Sequence, residues 1–284
     1  MHAYRHNLHS LMRSSTATIV FGLAFAAAFA SAPAAHAQSC AGDINDDTLV
    51  NGGDLATMLS NWGTCPVAAP TIAQMSPNTG SAAGGTAFYI GRYEVTQAQW
   101  TARMGSNPSF FQSASAQVPE AQVPNRPVES VSWNTIQGFL SATGLRLPTE
   151  AEWEYAYRAG TTTAFHSMPA LPNGTNLDTQ VGIIAWFNSN AASQTRPVGG
   201  KAANALGLHD MSGNVWEWVN DWHSATYYAS SPSTNPPGPE SGSSRVNRGG
   251  SRSSFSDNLR SSKRDANTPS LVNSSIGFRV ARTP

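Results

Sequence analysis

The residues from Gly207 to Trp218 combine carboxylates, glycines and indoles at a spacing that indicates a cation-binding turn. The run reads Gly-Leu-His-Asp-Met-Ser-Gly-Asn-Val-Trp-Glu-Trp, so that Asp210 and Glu217 bracket a Gly-Asn pair. Carboxylate and carbonyl oxygens are the ligands that hard cations prefer, and the two glycines interrupt regular helix or strand. The two indoles need partners for their N–H groups once they are buried. This run therefore predicts a polar turn held around a hard cation.

A second run of oxygen-bearing side chains lies near the amino end of the chain. It places side-chain oxygens at loop positions 1, 3, 5, 9 and 12 and a backbone carbonyl at position 7; these are Asp43, Asn45, Asp47, Asn51 and Asp54, with Leu49 for the carbonyl. That spacing surrounds Ca²⁺ in an EF-hand loop, although Thr48 stands where the loop prefers Gly. Apolar residues continue at helical spacing from Leu55 to Trp62, so residues 40–65 are predicted to be a loop-helix calcium module. A polar turn clipped by a disulfide is the alternative.

The first 37 residues have the pattern of a secretory signal peptide. Arg5 and Arg13 precede an uncharged apolar run from Ile19 to Ala30, and Ala35-His36-Ala37 offers a cleavage site. A retained membrane anchor is the alternative. Cleavage predicts a mature protein that is secreted, periplasmic or extracellular and that has no further contact with the membrane.

The two cysteines of the chain, Cys40 and Cys65, flank the predicted calcium module. Disulfides persist in exported proteins, so a bond between these two thiols is the simplest interpretation. In the chain-entropy model such a bond stabilises the fold by roughly 3 kcal/mol. A lone redox thiol is the alternative.

The composition indicates a compact fold with few long helices. Only 12% of residues are charged, about half the usual share, while glycine and proline are abundant. The 17 basic and 17 acidic residues cancel, which gives no indication of a nucleic-acid partner. Eight tryptophans supply ample apolar area for a core.

Short capped helices are expected to position the carboxyl-terminal runs. Capping signals predict three helices, over 97–104, from Ser132 to about residue 142, and over Ala151–Ala159, ended by Gly105, Gly144 and Gly160 respectively. Beyond residue 160 only short strands are predicted, at Ile183–Phe187 and Gly277–Ala281. Residues 66–87 are predicted to be a linker, part of which resembles the opening of an IPT/TIG domain but is too short for a β-sandwich.

Several motifs occur in the order seen in the sulfatase-modifying-factor family, whose founding member is the formylglycine-generating enzyme. They are RPVESVSW (126–133), RLPTEAEWEYAYRAG (146–160), GLHDMSGNVWEW (207–218), RVNRGGS (245–251) and IGFR (276–279). The resemblance implies an α+β, loop-rich, C-type-lectin-like domain over residues 88–284. Residues 40–65 likewise resemble a single dockerin repeat, which implies docking to a cohesin-like partner.

The same resemblance bears on activity. The family oxidises a substrate cysteine with copper held by two of its own thiolates, and the corresponding positions here are Ser254 and Leu259. Soft thiolates suit Cu(I), and a hydroxyl or an alkyl group does not replace them. Loss of the oxidase chemistry is therefore expected, with Ser254 and Phe255 closing the floor of the former site. The remaining histidines after signal removal, His166, His209 and His223, are scattered and are expected to be core or surface residues.

The resemblance also implies a calcium ion at the GNVWEW turn, held by the side chains of Asp210 and Glu217 and the carbonyls of Gly213 and Val215. A salt bridge from Glu217, with Arg248 as the candidate partner, is the alternative role of that carboxylate. Trp216, Arg248 and Ser251, with Gly249, Gly250 and Arg279 beside them, are implied to line a substrate groove or its floor.

Three functional interpretations remain open from the sequence. The first is an exported, calcium-stabilised protein that binds a peptide, protein or glycan ligand without oxidase activity. The second is an active enzyme of this family, either the formylglycine-generating oxidase or one with other metal-dependent chemistry. The third is a dockerin-type component of a polysaccharide-degrading assembly.

Overall fold

A computed structural model describes residues 87–166 and 178–283, together with the backbone of a strand at 72–75. The predicted signal peptide, the calcium module of residues 40–65 and the Cys40–Cys65 pair lie outside the described residues. Within the described part, no helix is both long and apolar enough to cross a bilayer.

The described residues form two small sheets and four α-helices, which confirms the α+β expectation. The strands are β1 (Ile72–Met75), β2 (Phe88–Gly91), β3 (Trp216–Trp222), β4 (Arg245–Arg248), β5 (Arg264–Asn267), β6 (Ile276–Gly277) and β7 (Ala281–Arg282). The α-helices are α1 (Gln97–Met104), α2 (Trp133–Thr143), α3 (Glu150–Arg158) and α4 (Asp178–Ile184), and short 3-10 segments lie at Glu120–Asn125, Tyr227–Ala229 and Ser256–Leu259. One sheet has the order β1-β2-β7 and the other β5-β4-β3-β6. All neighbouring strands are antiparallel except β3 and β6.

Helices α1 and α2 begin where the capping signals predict. The Thr96 side chain accepts a hydrogen bond from the Gln99 amide at 3.3 Å, and the Gln99 side-chain oxygen accepts one from the Thr96 amide at 2.9 Å. The same reciprocal pair joins Thr149 and Glu152 at the start of α3. Because these bonds are local, the sequence alone specifies them.

Helix α3 is shifted by one residue from its predicted bounds and covers Glu150–Arg158 rather than Ala151–Ala159. Thr149 is the N-cap, so the next residue is already helical. At the other end Ala159 adopts φ 48° and Gly160 φ 88°, which makes two successive left-handed residues. The helix therefore ends before Ala159, and Ala159 is its C-cap.

The predicted strands beyond residue 160 require correction. Ile183–Phe187 is not a strand: its first residues end helix α4, in which Val181 and Ile184 are buried at a three-residue spacing. Gly277–Ala281 is not one strand either, because Gly277 belongs to β6 beside β3 while Ala281 belongs to β7 beside β2. The chain passes from one sheet to the other within this segment.

The apolar core consists of three clusters of buried side chains. The first contains a stack of Trp100 on Phe139, with ring centroids 5.3 Å apart, and Phe278 packs edge-on against both rings. The second is built on Trp153 and Tyr157 of α3. The third packs around Phe165, Phe187 and Leu259. Helix α3 lies against β3 and β4, so it joins the core to the candidate site.

We predict that Gly213→Ala destabilises the fold far more than Gly160→Ala. Both glycines have similar positive φ values, 83° and 88°, so both variants carry a backbone penalty of about 1–2 kcal/mol. A Cβ at Gly160 meets nothing within 4 Å, whereas a Cβ at Gly213 would stand 2.1 Å from the Trp186 carbonyl oxygen. Chemical denaturation of the two variants measures the difference, and equal losses would contradict the close packing of the turn on Trp186.

Candidate ligand and metal site

A buried ion pair between Arg279 and Glu217 lies at the centre of the predicted site. The guanidinium donates to both carboxylate oxygens at 2.7 Å, and Trp153 Nε1 donates to Glu217 Oε2 at 2.6 Å. Arg279 also donates to the carbonyls of Gly91 and His209. Arg279, and not the expected Arg248, is thus the ion-pair partner of Glu217.

Two more buried carboxylates face this pair. Asp210 has φ 56° and accepts a hydrogen bond from the Gly199 amide at 2.6 Å through Oδ2. Its Oδ1 is buried and has no hydrogen-bond partner in the described chain. Glu94, which the sequence analysis missed, accepts from the Val215 amide at 3.1 Å and from the Asn214 side chain at 2.7 Å. Nothing in its local sequence distinguishes it from a surface glutamate.

The cluster therefore carries more negative than positive charge. Glu94, Asp210 and Glu217 are between 0% and 1% exposed, and Arg279 is the cation that the electrostatics place among them. Burial raises the pKa of Glu94 well above its ordinary value, and the neighbouring carboxylates raise it further. Burial also raises the pKa of Asp210, to about 6. A cation beside these oxygens would offset the excess charge.

The Gly-Gly-Ser turn leads to Ser254 and Leu259, the two positions that the family resemblance relates to copper ligands. Ser254 Oγ accepts from the Ser251 amide at 3.0 Å and lies 3.3 Å from Ser251 Oγ. Leu259 is fully buried in the third apolar cluster, and its carbonyl accepts from Tyr157 at 2.9 Å. Phe255 is 67% exposed, so the expectation that it closes the floor is wrong. Leu259 fills the interior there instead.

The residues implied for a groove differ in accessibility. Trp216 is half-buried at the start of β3. Ser251 is 1% exposed and Arg248 is fully buried. Arg248 forms ion pairs with Glu150 and Glu154, so its side chain stabilises the packing of α3 on β4 rather than lining an open surface.

The three histidines are not gathered into a metal centre. His166 is fully buried, and burial lowers its pKa to about 4, so the ring is neutral. His209 Nδ1 lies 2.8 Å from the Lys201 carbonyl, and His223 is half-buried. Across residues 87–166 and 178–283, no group of three or more His, Cys, Asp or Glu side chains is arranged to hold a metal ion.

A further buried carboxylate lies where β3 meets the start of α3. Asp221 is 2% exposed, and its Oδ2 accepts from the Glu150 amide at 2.7 Å. Its Oδ1 has no hydrogen-bond partner among the described residues. Burial raises the pKa of Asp221 to about 7. The hydrogen bond from the Glu150 amide lowers the pKa, whereas the negative charges of Glu150 and Glu152 raise it further.

The fold and the aromatic, carboxylate-bearing turn define a domain of the C-type-lectin-like class. The chain belongs to the family of sulfatase-modifying factor enzyme 1-like domains, which its residues 33–284 match. The matched range begins well before residue 88 and thus includes the predicted calcium module and both cysteines.

The chain matches only part of the longer proteins to which it is similar. The chain is 40% identical over 166 residues to the formylglycine-generating enzyme of Streptomyces coelicolor, covering 56% of this chain and 53% of that one. It is 41% identical over 158 residues to the serine/threonine-protein kinase pkn1 of Chlamydia caviae, of which it covers 24%. The chain thus spans about half the length, or less, of these two relatives.

Solved structures support the same fold. Treponema denticola variable protein 1 is 29% identical with a TM-score of 0.66, over 78% of this chain and 98% of that one. PvdO from Pseudomonas aeruginosa is 25% identical with a TM-score of 0.56, over 76% and 94% of the two chains.

We predict that Asp221→Asn flattens the pH dependence of stability. The folded pKa of about 7 lies above the ordinary value of 3.8, so the folded chain keeps this proton at pH values where the unfolded chain has lost it. The contribution of Asp221 to the free energy of unfolding therefore falls as the pH rises from about 4 to about 7. An amide cannot ionise, so this part of the slope should disappear and the variant should be the more stable protein at pH 8.

Calorimetric melting temperatures across this pH range measure the effect, with the exposed Asp257→Asn as the control. A slope in Asp221→Asn equal to that of the unmodified chain would contradict the assignment.

Proposed function

We propose that this chain is an exported ligand-binding protein built on a formylglycine-generating-enzyme-like domain, without the copper oxidase chemistry and stabilised by calcium. The observation that carries the proposal is the pair Ser254 and Leu259 at the positions of the copper thiolates. Cu(I) needs soft sulfur ligands. A hydroxyl oxygen is a poor substitute, and a buried leucine offers no donor atom.

The surroundings of both positions support a structural role for them. The Ser254 hydroxyl accepts a hydrogen bond from the Ser251 amide, and Leu259 packs with Phe165 and Phe187. Metal binding there would need new donors as well as space inside a packed cluster. The alternative is an active enzyme in which other residues supply the donors; Cys40 and Cys65 are the remaining thiols of the sequence.

Ligand binding is supported by aromatic side chains left accessible near the Gly-Gly-Ser turn. Trp216 is half-buried, Phe255 is 67% exposed, and Phe110 is 73% exposed. Solvent-exposed aromatic side chains are common anchors for peptide, protein and glycan ligands. Trp216 is the groove residue proposed to contact the ligand, with the buried Ser251 and Arg248 supporting it from beneath.

The GNVWEW turn fits calcium in three respects. Asp210 Oδ1 is buried without a hydrogen bond within the described chain, and the carboxylates around it outnumber the single guanidinium. Glu217 already accepts from Arg279 and Trp153, but each carboxylate oxygen has a further lone pair for a metal. The side chains of Asp210 and Glu217 would hold the ion together with the carbonyls of Gly213 and Val215. Its charge would complete the electrostatic balance of the turn.

The amino-terminal part of the proposal is carried by sequence alone. The signal-like residues 1–37 support export, and the oxygen spacing of residues 43–54 supports a second calcium loop. Its dockerin-like pattern makes a cohesin-like protein the partner to test, by pull-down with and without a calcium chelator.

We predict that calcium raises the melting temperature of the chain and that Asp210→Ala removes most of this effect. A ligand at 100 times its dissociation constant stabilises the folded state by about 2.7 kcal/mol. Scanning calorimetry in calcium and in chelator measures the shift, with the exposed Asp257→Ala as the control. An Asp43→Ala, Asp47→Ala variant separates the contribution of the amino-terminal loop. An unchanged calcium response in Asp210→Ala would exclude the GNVWEW turn as the site.

We predict that the copper-loaded chain forms no aldehyde on a sulfatase-derived cysteine peptide and that it binds at least one class of peptide or glycan on an array. Mass spectrometry of the peptide and array fluorescence are the two measurements. A Trp216→Ala variant should lose the array signal, while an Ile183→Ala variant, at an exposed apolar residue on α4, should retain it. Aldehyde formation, or silence across every ligand class, would overturn the proposal.

A further inference from the structure

Three buried arginines form a second charged cluster beside the GNVWEW turn, whose Asn214 hydrogen-bonds to the backbones of Arg196 and Arg252. Arg126, Arg196 and Arg252 are 1%, 7% and 9% exposed. Elsewhere in the described chain, ion pairs join carboxylates to other arginines, namely Arg146, Arg158, Arg248, Arg264 and Arg279. Within the described residues, none of the three clustered guanidiniums has a carboxylate within the 4.0 Å of an ion pair.

The three side chains converge on one short turn, residues 191–194. Arg196 Nε donates to the Ala191 carbonyl at 3.2 Å, and Arg252 Nη1 donates to the Ser193 carbonyl at 3.0 Å. Arg126 Nη2 donates to the Gln194 side chain at 3.2 Å. Every one of these acceptors is neutral, so the turn positions the guanidiniums without offsetting their charge.

The ring of Phe111 lies next to two of the three guanidiniums. The Phe111 ring centroid lies 4.6 Å from Arg252 Cζ and 5.8 Å from Arg126 Cζ. The Nε groups of both arginines are buried without a hydrogen-bond partner in the described part of the chain. The cluster therefore has N–H donors that the protein itself does not use.

The nearby acidic group does not balance this charge. Glu129 accepts from the Phe111 amide at 2.8 Å and from Ser130 Oγ at 2.7 Å, and it acts on Arg126 and Arg252 from beyond ion-pair distance. Arg196 adds a further positive charge, which lowers the pKa of Arg126 after the larger effect of burial. Burying uncompensated charge is unfavourable, and a bound anion would remove that penalty.

We propose that Arg126, Arg196 and Arg252 bind an oxyanion group, namely a carboxylate, sulfate or phosphate carried by the ligand. A guanidinium presents parallel N–H donors that match the paired oxygens of such groups. The turn that carries the acceptors reaches the surface, where Ser193 and the neighbouring Ser253 are exposed. Arg252 directly follows Ser251, so the anionic group would lie beside the proposed groove. The inference rests on the proposed binding function and specifies the charge of its ligand.

The test is a titration of the full chain with inorganic sulfate, phosphate and acetate at constant ionic strength, with sodium chloride as the balancing salt. Isothermal calorimetry should show saturable binding of at least one oxyanion. Arg126→Gln and Arg252→Gln should each weaken it tenfold or more. Arg103→Gln, which removes a guanidinium that donates to the Ala142 carbonyl outside the cluster, should leave binding unchanged.

Two results would overturn the inference: no saturable binding of any of the three anions, or equal binding in the cluster variants and the control. Should the glutamine variants fail to fold, Arg252→Lys keeps the charge but loses the paired donors, and it should weaken binding by a smaller factor. The three anions distinguish planar from tetrahedral groups. If an oxyanion binds but no peptide or glycan on the arrays does, only the proposed function is refuted. If the arrays reveal a ligand but no oxyanion binds, only this inference is refuted.

Discussion

The buried pair of Arg279 and Glu217 adds a polar connection to the apolar packing that joins the two sheets and helix α3. Glu217 lies on β3 of the four-stranded sheet, and Arg279 follows β6 on the way to β7. The guanidinium reaches the Gly91 carbonyl in β2 of the other sheet, and Trp153 of α3 donates to the same carboxylate. Loss of one partner from such a pair leaves a buried charge uncompensated and destabilises a protein by about 3–5 kcal/mol. Polar contacts of this kind therefore link the short strands of the two sheets to each other and to α3.

The buried charges of this chain are distributed unevenly between two turns. Around the GNVWEW turn, Glu94, Asp210 and Glu217 face Arg279, which leaves negative charge in excess. Around the 191–194 turn, three arginines face one glutamate, which leaves positive charge in excess. A sequence with zero net charge thus contains two local imbalances of opposite sign. These imbalances are the physical basis for expecting a cation at one turn and an anion at the other.

The sequence predicts those features that depend on neighbours along the chain. The start of α3 follows from Thr149 and Glu152 because the capping bonds span only three residues. The segment from Gly277 to Ala281 was predicted as one strand because its pairing with two different sheets is not encoded locally. Glu94 was missed and Arg248 was considered in place of Arg279 for the same reason: ion pairs between residues 62 positions apart leave no local pattern. The turn itself was recognised because its glycines and carboxylates are contiguous.

The positions of Ser254 and Leu259 are fixed by hydrogen bonds of their backbones. The carbonyl of Leu259 accepts from Tyr157 at 2.9 Å and from Ser212 at 3.2 Å, whatever side chain stands there. These bonds place no demand on the side chain of Leu259, which packs in the cluster around Phe165. Ser254 is likewise placed by the turn that begins at Gly249 and Gly250, both at positive φ. A scaffold held by backbone contacts does not by itself determine the chemistry of the site, and it is the family's scaffold that this chain shares.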